Sequence, residues 1–474
     1  MKQFKMIIDG KEFTTDKTFE VINPALGVPF AVCAQGSPAN VDMAVKAARK
    51  AFPAWSQSSE ESRIEKMLAI AALLEQNMPE LMQLITQESG KPLNGFGGVG
   101  SGMEVGGSIA WTQATTSFSL PPEVIQDNDE AKVEMHRKPL GVVASITPWN
   151  WPLMIAIWHV MPALRTGNTV VIKPSPYTPL ATIRFVELAN TVLPPGVLNI
   201  ITGGADVGNA ISSHPDINKI VFTGSTATGK QIMSLASTNL KRVTLELGGN
   251  DAGIVLPDAN IDKIANELFL SCFHNNGQTC ACLKRLYVHE SIYEDVCAAL
   301  VKIAKEVVVG NGLEEGVEIG PLQNKAQLDK VIELTNDAIA NGGRVLVGGK
   351  AREGSGYFFP PTIIADVNDG MRLVDEEQFG PVLPVIKYSN IDDVINLANQ
   401  NEAGLGGSFW SSNLDLARSL ASRLETGSVW INEHGTIQPD APFGGVKQSG
   451  IGVEFGTLGL EEYTSVQTIK TGRR

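Results

Sequence analysis

Apolar residues recur at helical spacing over 41–52 and again over 62–76, with Asn40 and Ser59 standing as candidate caps. The first quarter is therefore expected to be mainly helical. The pattern then changes. Segments 141–147 (GVVASIT) and 169–173 (TVVIK) are short β-branched runs, each closed by a proline, and read as buried strands. Helical stretches around 154–164 and 180–193 lie between and after them, followed by strand-like 197–202 and 219–223. Such alternation marks a parallel, doubly wound sheet. A second alternation starts at Asp251, with strands expected at 252–255, 285–289, 344–347 and 384–388. Two α/β layers in one chain imply a cleft between them.

Two stretches fit neither layer. Residues 132–138 alternate with polar positions after the Pro121-Pro122 break, and 459–470 form a late strand-like tail. Strands outside the main layers commonly pair with each other or with a second subunit, so they are expected to form one small β arm.

The length of 474 residues allows about three domains of roughly 150 residues. Apolar residues make up 43% and charged residues 19%, the composition of an ordinary globular chain. A formal net charge of −13 argues against nucleic acid or an anionic membrane as the main partner, because those demand a basic face. No apolar run reaches the roughly 18 residues of a membrane span, and the start does not read as a signal peptide. Five cysteines, an odd number, point to reduced thiols and a cytoplasmic location.

Two literal motif matches mislead. Gly95, Gly97 and Gly100 satisfy G-x-G-x-x-G but follow a helical stretch, so nothing aims them at a pyrophosphate. Residues 224–231 (GSTATGKQ) approach a P-loop, yet Gln231 stands where Ser or Thr must ligate magnesium. A P-loop-like NTPase is thus a remote alternative. What survives is the setting of strand, tight Gly turn and helix from about Ala227, which points backbone N–H groups at a phosphate.

The sharpest local signal is Cys280 at the end of FHNNGQTC, a polar loop after an apolar helix. A thiolate is the strongest side-chain nucleophile, whereas Cys272 and Cys282 read as structural thiols. Upstream by 34 residues, Glu246 lies in the apolar VTLELGG segment. Burial would raise its pKa toward neutrality and suit a general base, the alternative being a salt-bridged structural carboxylate. Asn150 sits in the rigid bend PWNWP, where its amide either donates to a developing oxyanion or satisfies turn backbone groups.

Together with VIKPS from Val171, FTGSTATG from Phe222, EEQFGPV from Glu376 and PFGGVKQSG from Pro442, these segments resemble the aldehyde dehydrogenase superfamily over nearly the full chain. The resemblance implies an α/β fold with two doubly wound domains and a small β oligomerisation arm. Its expected divisions are a cofactor domain over 1–118 and 140–246, a catalytic domain over 247–441, and an arm from 119–139 and 452–474. It also implies oxidation of an aldehyde to the acid with NAD and/or NADP and no metal. By resemblance Cys280 attacks the aldehyde, Asn150 and the Cys280 N–H hold the oxyanion, and Glu246 activates the water that releases the thioester. Lys173 is assigned both to the catalytic set and to the adenosine ribose. Thr147, Trp149, Ser175, Gly224, Ser225, Leu247, Glu377 and Phe379 complete the cofactor set. The substrate funnel is expected from Trp151, Met154, Trp158, His274, Thr279, Trp430 and Phe443, and it suits a hydrophobic or aromatic aldehyde. An amino-aldehyde or a semialdehyde is the alternative, with His274, Glu433 or His434 reading a polar group. Pro176 departs from the glutamate that many NAD-preferring members carry, which opens dual use of NAD and NADP. A homodimer or homotetramer is expected. A catalytically silent structural protein is the remaining alternative, disfavoured by retention of Cys280, Glu246 and Asn150 together.

Overall fold

The computed structural model describes residues 1–473. Its first large sheet runs, in spatial order, Gly450–Ile451, Arg242–Glu246, Lys219–Thr223, Val142–Ile146, Thr169–Lys173, Leu198–Ile200, Met6–Ile8 and Lys11–Phe13. The five strands from Arg242–Glu246 to Leu198–Ile200 are parallel. Four of them are buried at every position, because apolar clusters cover both faces of the sheet. The chain leaves Val142–Ile146 to build one side of the sheet and later returns to add Lys219–Thr223 on the other. The crevice at such a reversal, beyond the carboxyl ends of the strands, is where open α/β sheets take ligands.

The second sheet orders Arg344–Val347, Thr362–Ala365, Val382–Tyr388, Leu283–His289, Asp251–Val255, Gly406–Trp410 and Ser428–Ile431. It is parallel except for the antiparallel edge pair formed by Arg344–Val347 and Thr362–Ala365. Both of its faces are likewise covered. A third sheet pairs Thr464–Gly472 with Ala131–Pro139, and that strand in turn with Glu123–Asp127, all antiparallel.

Three local expectations need correction. The first quarter is helical only from Pro38–Ser56 onward; before it lie Lys2–Phe4, Met6–Ile8, Lys11–Phe13, Thr18–Asn23 and Val28–Ala34, all strands. Three of these strands are only three residues long, too short to show alternation, and their stability comes from the strands they join elsewhere. Asn40 is not the cap of the first helix: Ser37 is, and Asn40 accepts a bond from the Ser37 N–H three residues on. Ser59 does cap the next helix, Glu60–Gln76. The tail is a strand only from Thr464. Residues Gly456–Glu461 are a helix that turns Leu460 into the core, with Tyr463 buried just beyond it.

Candidate active site

The loop that carries Cys280 starts where helix Ile261–Phe273 ends. Asn275, Asn276 and Gly277 follow with φ of 49°, 57° and 72°. Such left-handed positions favour Gly and tolerate Asn. At Gly277 a Cβ would lie 2.3 Å from the Gly380 carbonyl, so the chain closes tightly there. The reversal delivers Cys280 to the cleft, where it is the one half-buried thiol of five; Cys272 and Cys282 are buried as expected. Burial pushes the Cys280 thiol up to about 12, Lys284 opposes this, and Glu246, Asp251 and Glu377 add to it. The resting side chain is therefore the thiol.

Asn150 follows the end of strand Val142–Ile146. Its Nδ2 donates to the Gln278 carbonyl at 2.9 Å, which ties the bend to the Cys280 loop and uses one of two amide hydrogens. The Asn150 carbonyl accepts from Lys91 Nζ and from Asn275 Nδ2, each at 3.1 Å. Lys91 is ion-paired with Glu104, both side chains wholly buried, and its ammonium lies 3.3 Å from the Trp151 ring centroid. Glu104 in turn accepts from the N–H groups of Leu153 and Met154 at 3.0 and 3.3 Å. The bend is thus held from inside by a charged pair that sequence reasoning did not find. The available signal was an acid and a lysine in otherwise small or apolar surroundings.

Glu246 ends the strand Arg242–Glu246 with both carboxylate oxygens buried and without a hydrogen-bond partner. Burial, and secondarily Glu454, raises its pKa well above the carboxylate range. The PFGG segment covers it so closely that a Cβ on Gly444 would be 3.2 Å from its Oε1. Glu454 was also missed; it faces the buried His159 at 3.2 Å across 295 residues of sequence.

A cavity of about 590 Å³ joins Cys280 and Asn150 to the crevice of the first sheet. Thr147, Trp149, Lys173, Ser175, Gly224, Ser225, Leu247, Glu377 and Phe379 all line it, with Asn150 and Cys280. Ser225 caps helix Thr226–Ala236, accepting from the Thr228 N–H at 3.3 Å, so the positive helix end opens on the cavity. The Thr147 hydroxyl is buried there without a partner. Burial lowers Lys173 to about 8, with Asp206 opposing. Trp149 and Phe379 meet edge to face at 5.3 Å. Glu377 accepts from the Gly249 N–H at 3.2 Å and pairs with Lys284 at 3.0 Å. At Gly248 a Cβ would come within 2.4 Å of the Glu377 carboxylate, which would then have to move. A long cleft with a helix end, an orphan hydroxyl and a lysine at the strand ends fits a dinucleotide.

The P-loop lookalike behaves differently: Lys230 is exposed and absent from the cavity lining, which Gln231 joins instead. The Gly95 to Gly100 segment is a single tight turn between helices and contributes nothing to the cleft.

On the opposite side of Cys280, Trp158, Trp430 and Phe443 pack with Phe455, Trp111 and the thiol itself. Trp151 and Met154 adjoin Trp158. The pairs Trp111–Trp158 and Trp158–Phe455 have centroids 5.6 and 4.8 Å apart. Trp111 and Phe455 were not foreseen, since neither stands in a family motif. The Trp151 indole N–H donates to the Thr279 hydroxyl at 2.9 Å, so the indole's one donor is already used. Two expected polar readers are buried. Burial lowers His274 to about 4, leaving it neutral, and its Nδ1 engages the Leu270 carbonyl at 2.8 Å. His434 is buried against Ser408 at 2.9 Å and Asp251 at 3.4 Å. Glu433 is exposed.

Comparison with known proteins agrees with this geometry. The family model described as the aldehyde dehydrogenase family matches residues 12–469. A phenylacetaldehyde dehydrogenase of Pseudomonas fluorescens is 40% identical over 98% of this chain and 95% of its own length. Two solved structures superpose over nearly all of both chains. One, an aldehyde dehydrogenase of Bacillus cereus in complex with NAD+, has a TM-score of 0.97 at 36% identity, covering 100% of this chain and 97% of that one. The other, a betaine aldehyde dehydrogenase of Staphylococcus aureus in complex with NAD+, has a TM-score of 0.95 at 34% identity, covering 99% and 94%.

Proposed function

Because the chain belongs to the aldehyde dehydrogenase family and is an NAD(P)-dependent oxidoreductase of that class, we propose that it oxidises a hydrophobic or aromatic aldehyde through a thioester on Cys280. The observation that carries this reading is the position of Cys280, between the nucleotide cleft and the aromatic cluster, beside one anchored amide and one unpartnered carboxylate.

Each residue has a step that its surroundings support. Cys280 gives up its thiol proton to solvent and bonds to the aldehyde carbon, and the oxyanion so formed receives the second Nδ2 hydrogen of Asn150 and the backbone N–H of Cys280. NAD(P), when bound, supplies the hydride acceptor. Lys173, Ser225 and Glu377 are positioned to hold it, with Trp149 and Phe379 as walls and Thr147, Ser175, Gly224 and Leu247 shaping the floor. Loss of hydride leaves the thioester on Cys280. Glu246, as a buried base, takes a proton from the water that cleaves it, releasing acid and thiol.

The substrate class follows from the walls. Trp111, Trp158, Trp430, Phe443 and Phe455 offer apolar faces, His274 is neutral, and the indole N–H of Trp151 is already paired. Likeness to a phenylacetaldehyde dehydrogenase points the same way. An amino-aldehyde is the second reading, favoured by indole faces that attract cations and by likeness to a betaine aldehyde dehydrogenase. Pro176 lines the cleft and offers no carboxylate to repel a 2′-phosphate, so both NAD and NADP are accepted. The domains divide at residues 247 and 441. The edge strand Thr464–Gly472, with Val466 and Ile469 exposed, is covered by a second copy in a homodimer or homotetramer. Five free thiols suit a cytoplasmic location.

The test follows reduction of NAD and NADP with aromatic, aliphatic and amino aldehydes, for native protein and Cys280→Ala. Turnover of aromatic aldehydes that disappears in the variant is expected. Preference for cationic aldehydes would replace the substrate assignment, and turnover by Cys280→Ala would remove the nucleophile.

A further inference from the structure

Lys284 stands four residues after the nucleophile, at the start of strand Leu283–His289, with its side chain 2% exposed. Its ammonium donates a short hydrogen bond to the carbonyl of Cys280. It also pairs with Glu377 at 3.0 Å and lies 5.6 Å from the Phe379 ring centroid. The side-chain amide of Gln378 reaches back to the Lys284 carbonyl at 2.9 Å, so the Glu377–Phe379 segment is laced to the strand of the nucleophile.

Lysine is almost never wholly buried without a purpose for its charge. Burial opposes this ammonium, yet Glu377, then Asp251, Cys282 and Cys280 outweigh it and keep its pKa above the ordinary value. The charged groups acting on the Cys280 thiol are Lys284 and three acids, Glu246, Asp251 and Glu377. Lys284 is the one cation among them. It also touches both the backbone of the nucleophile and a carboxylate of the cofactor cleft.

We propose that Lys284 is the positioning residue that couples cofactor binding to the nucleophile, pinning the Cys280 carbonyl to Glu377 and turning its charge toward the sulfur when Glu377 is engaged by the cofactor. This rests on the reading of Cys280 as nucleophile and Glu377 as a cofactor ligand. In the free protein Glu377 offsets the ammonium. Hydroxyl donors from a bound ribose spend part of that carboxylate's charge, so Lys284 acts on Cys280 with less offset. The thiol then releases its proton to solvent more readily.

The test is the pH dependence of iodoacetamide alkylation at Cys280, located by peptide mass spectrometry, with and without NAD. Native protein, Lys284→Met, Lys284→Arg and Glu377→Gln are compared, with melting temperatures as a folding control. In native protein NAD lowers the midpoint. In Lys284→Met the midpoint with NAD rises by about one unit or more, a tenfold slower alkylation at neutral pH, and the response to NAD shrinks. Lys284→Arg restores most of the response. Glu377→Gln, which removes the offset without touching Lys284, makes the free thiol more reactive than native and keeps the proposal testable if Lys284→Met does not fold. A folded Lys284→Met with native midpoints in both states, or Glu377→Gln with a native free midpoint, overturns the coupling. Turnover by Cys280→Ala would instead overturn the nucleophile assignment and this proposal with it.

Discussion

Glu246→Gln should separate the two halves of the reaction. The replacement keeps the shape of a side chain whose oxygens are buried without partners, and it removes only the capacity to take a proton. A positioned base contributes about 10² to 10⁴ to such a step, or roughly 3 to 5 kcal/mol of barrier. Formation of the thioester needs Cys280 and Asn150, which the substitution leaves in place. The first turnover should therefore release about one reduced cofactor per site at close to the native rate, while steady-state turnover falls 10² to 10⁴-fold. Rapid mixing with cofactor absorbance reads the burst, and intact-protein mass spectrometry reads the acyl adduct on Cys280. Loss of the burst together with the steady state would place Glu246 before the thioester and refute the assignment; so would a steady-state loss below about tenfold.

The same substitution ties the site to stability. Burial raises the folded-state pKa of Glu246 above the ordinary 4.5. The folded chain thus holds a proton that the unfolded chain has already lost as pH climbs from 4.5 toward the raised value. Through that window Glu246 costs increasing stability, whereas Gln cannot ionise. The melting temperature of Glu246→Gln relative to native should accordingly grow as pH rises above the carboxylate range, and a difference independent of pH would contradict the buried, unpaired state of the group.

Asn150→Ala removes one oxyanion donor while the thiol remains, so kcat should fall about 10² to 10³-fold with alkylation of Cys280 unchanged; a loss below about fivefold would leave the amide a structural role. Lys173, held at about 8 by burial, is charged below that value and neutral above it. The specificity ratio of NADP to NAD should therefore decline between about pH 7 and pH 9, and a flat ratio would show that Lys173 does not read the 2′-phosphate. Glu104→Ala strands the Lys91 ammonium in the interior and frees two helix N–H groups, a change of about 3 to 5 kcal/mol. It should shorten the thermal-inactivation half-life and lower kcat through Asn150, whereas native inactivation kinetics would mean that the pair holds nothing.

The legible parts of the molecule share a physical cause. Val142–Ile146, Thr169–Lys173 and Lys219–Thr223 are buried on both faces, so each writes itself as a short run rich in β-branched residues, without polar alternation. Cys280, Glu246 and Asn150 stand out because a nucleophile, an acid and an amide are costly in apolar or proline-locked surroundings. What stayed hidden depends on partners distant in sequence. Lys11–Phe13 is a strand only because Met6–Ile8 and Leu198–Ile200 extend the sheet edge toward it. Glu454 meets His159, and Asp251 meets His434, only after the two ends of each pair have folded. Helical spacing marked 154–164, but not that Glu104 would reach its first turn from another helix.

Three acids surround the nucleophile, and their partners distinguish their work. Glu377 faces Lys284 and the Gly249 N–H, so its charge is already engaged and can be passed to a ligand by exchange of partners. Asp251 is likewise buried without a hydrogen-bond donor, but it lies 3.4 Å from His434, which is held by Ser408. Glu246 has no hydrogen-bond donor to either oxygen and a second acid, Glu454, to disfavour its charge. A carboxylate stabilised by a cation is a poor base because accepting a proton sacrifices that interaction; one that is buried and unpartnered gains by protonation. Burial and the neighbouring Glu454 both raise Glu246 above the carboxylate range, which supports the proposal that it is the acid that takes a proton from water.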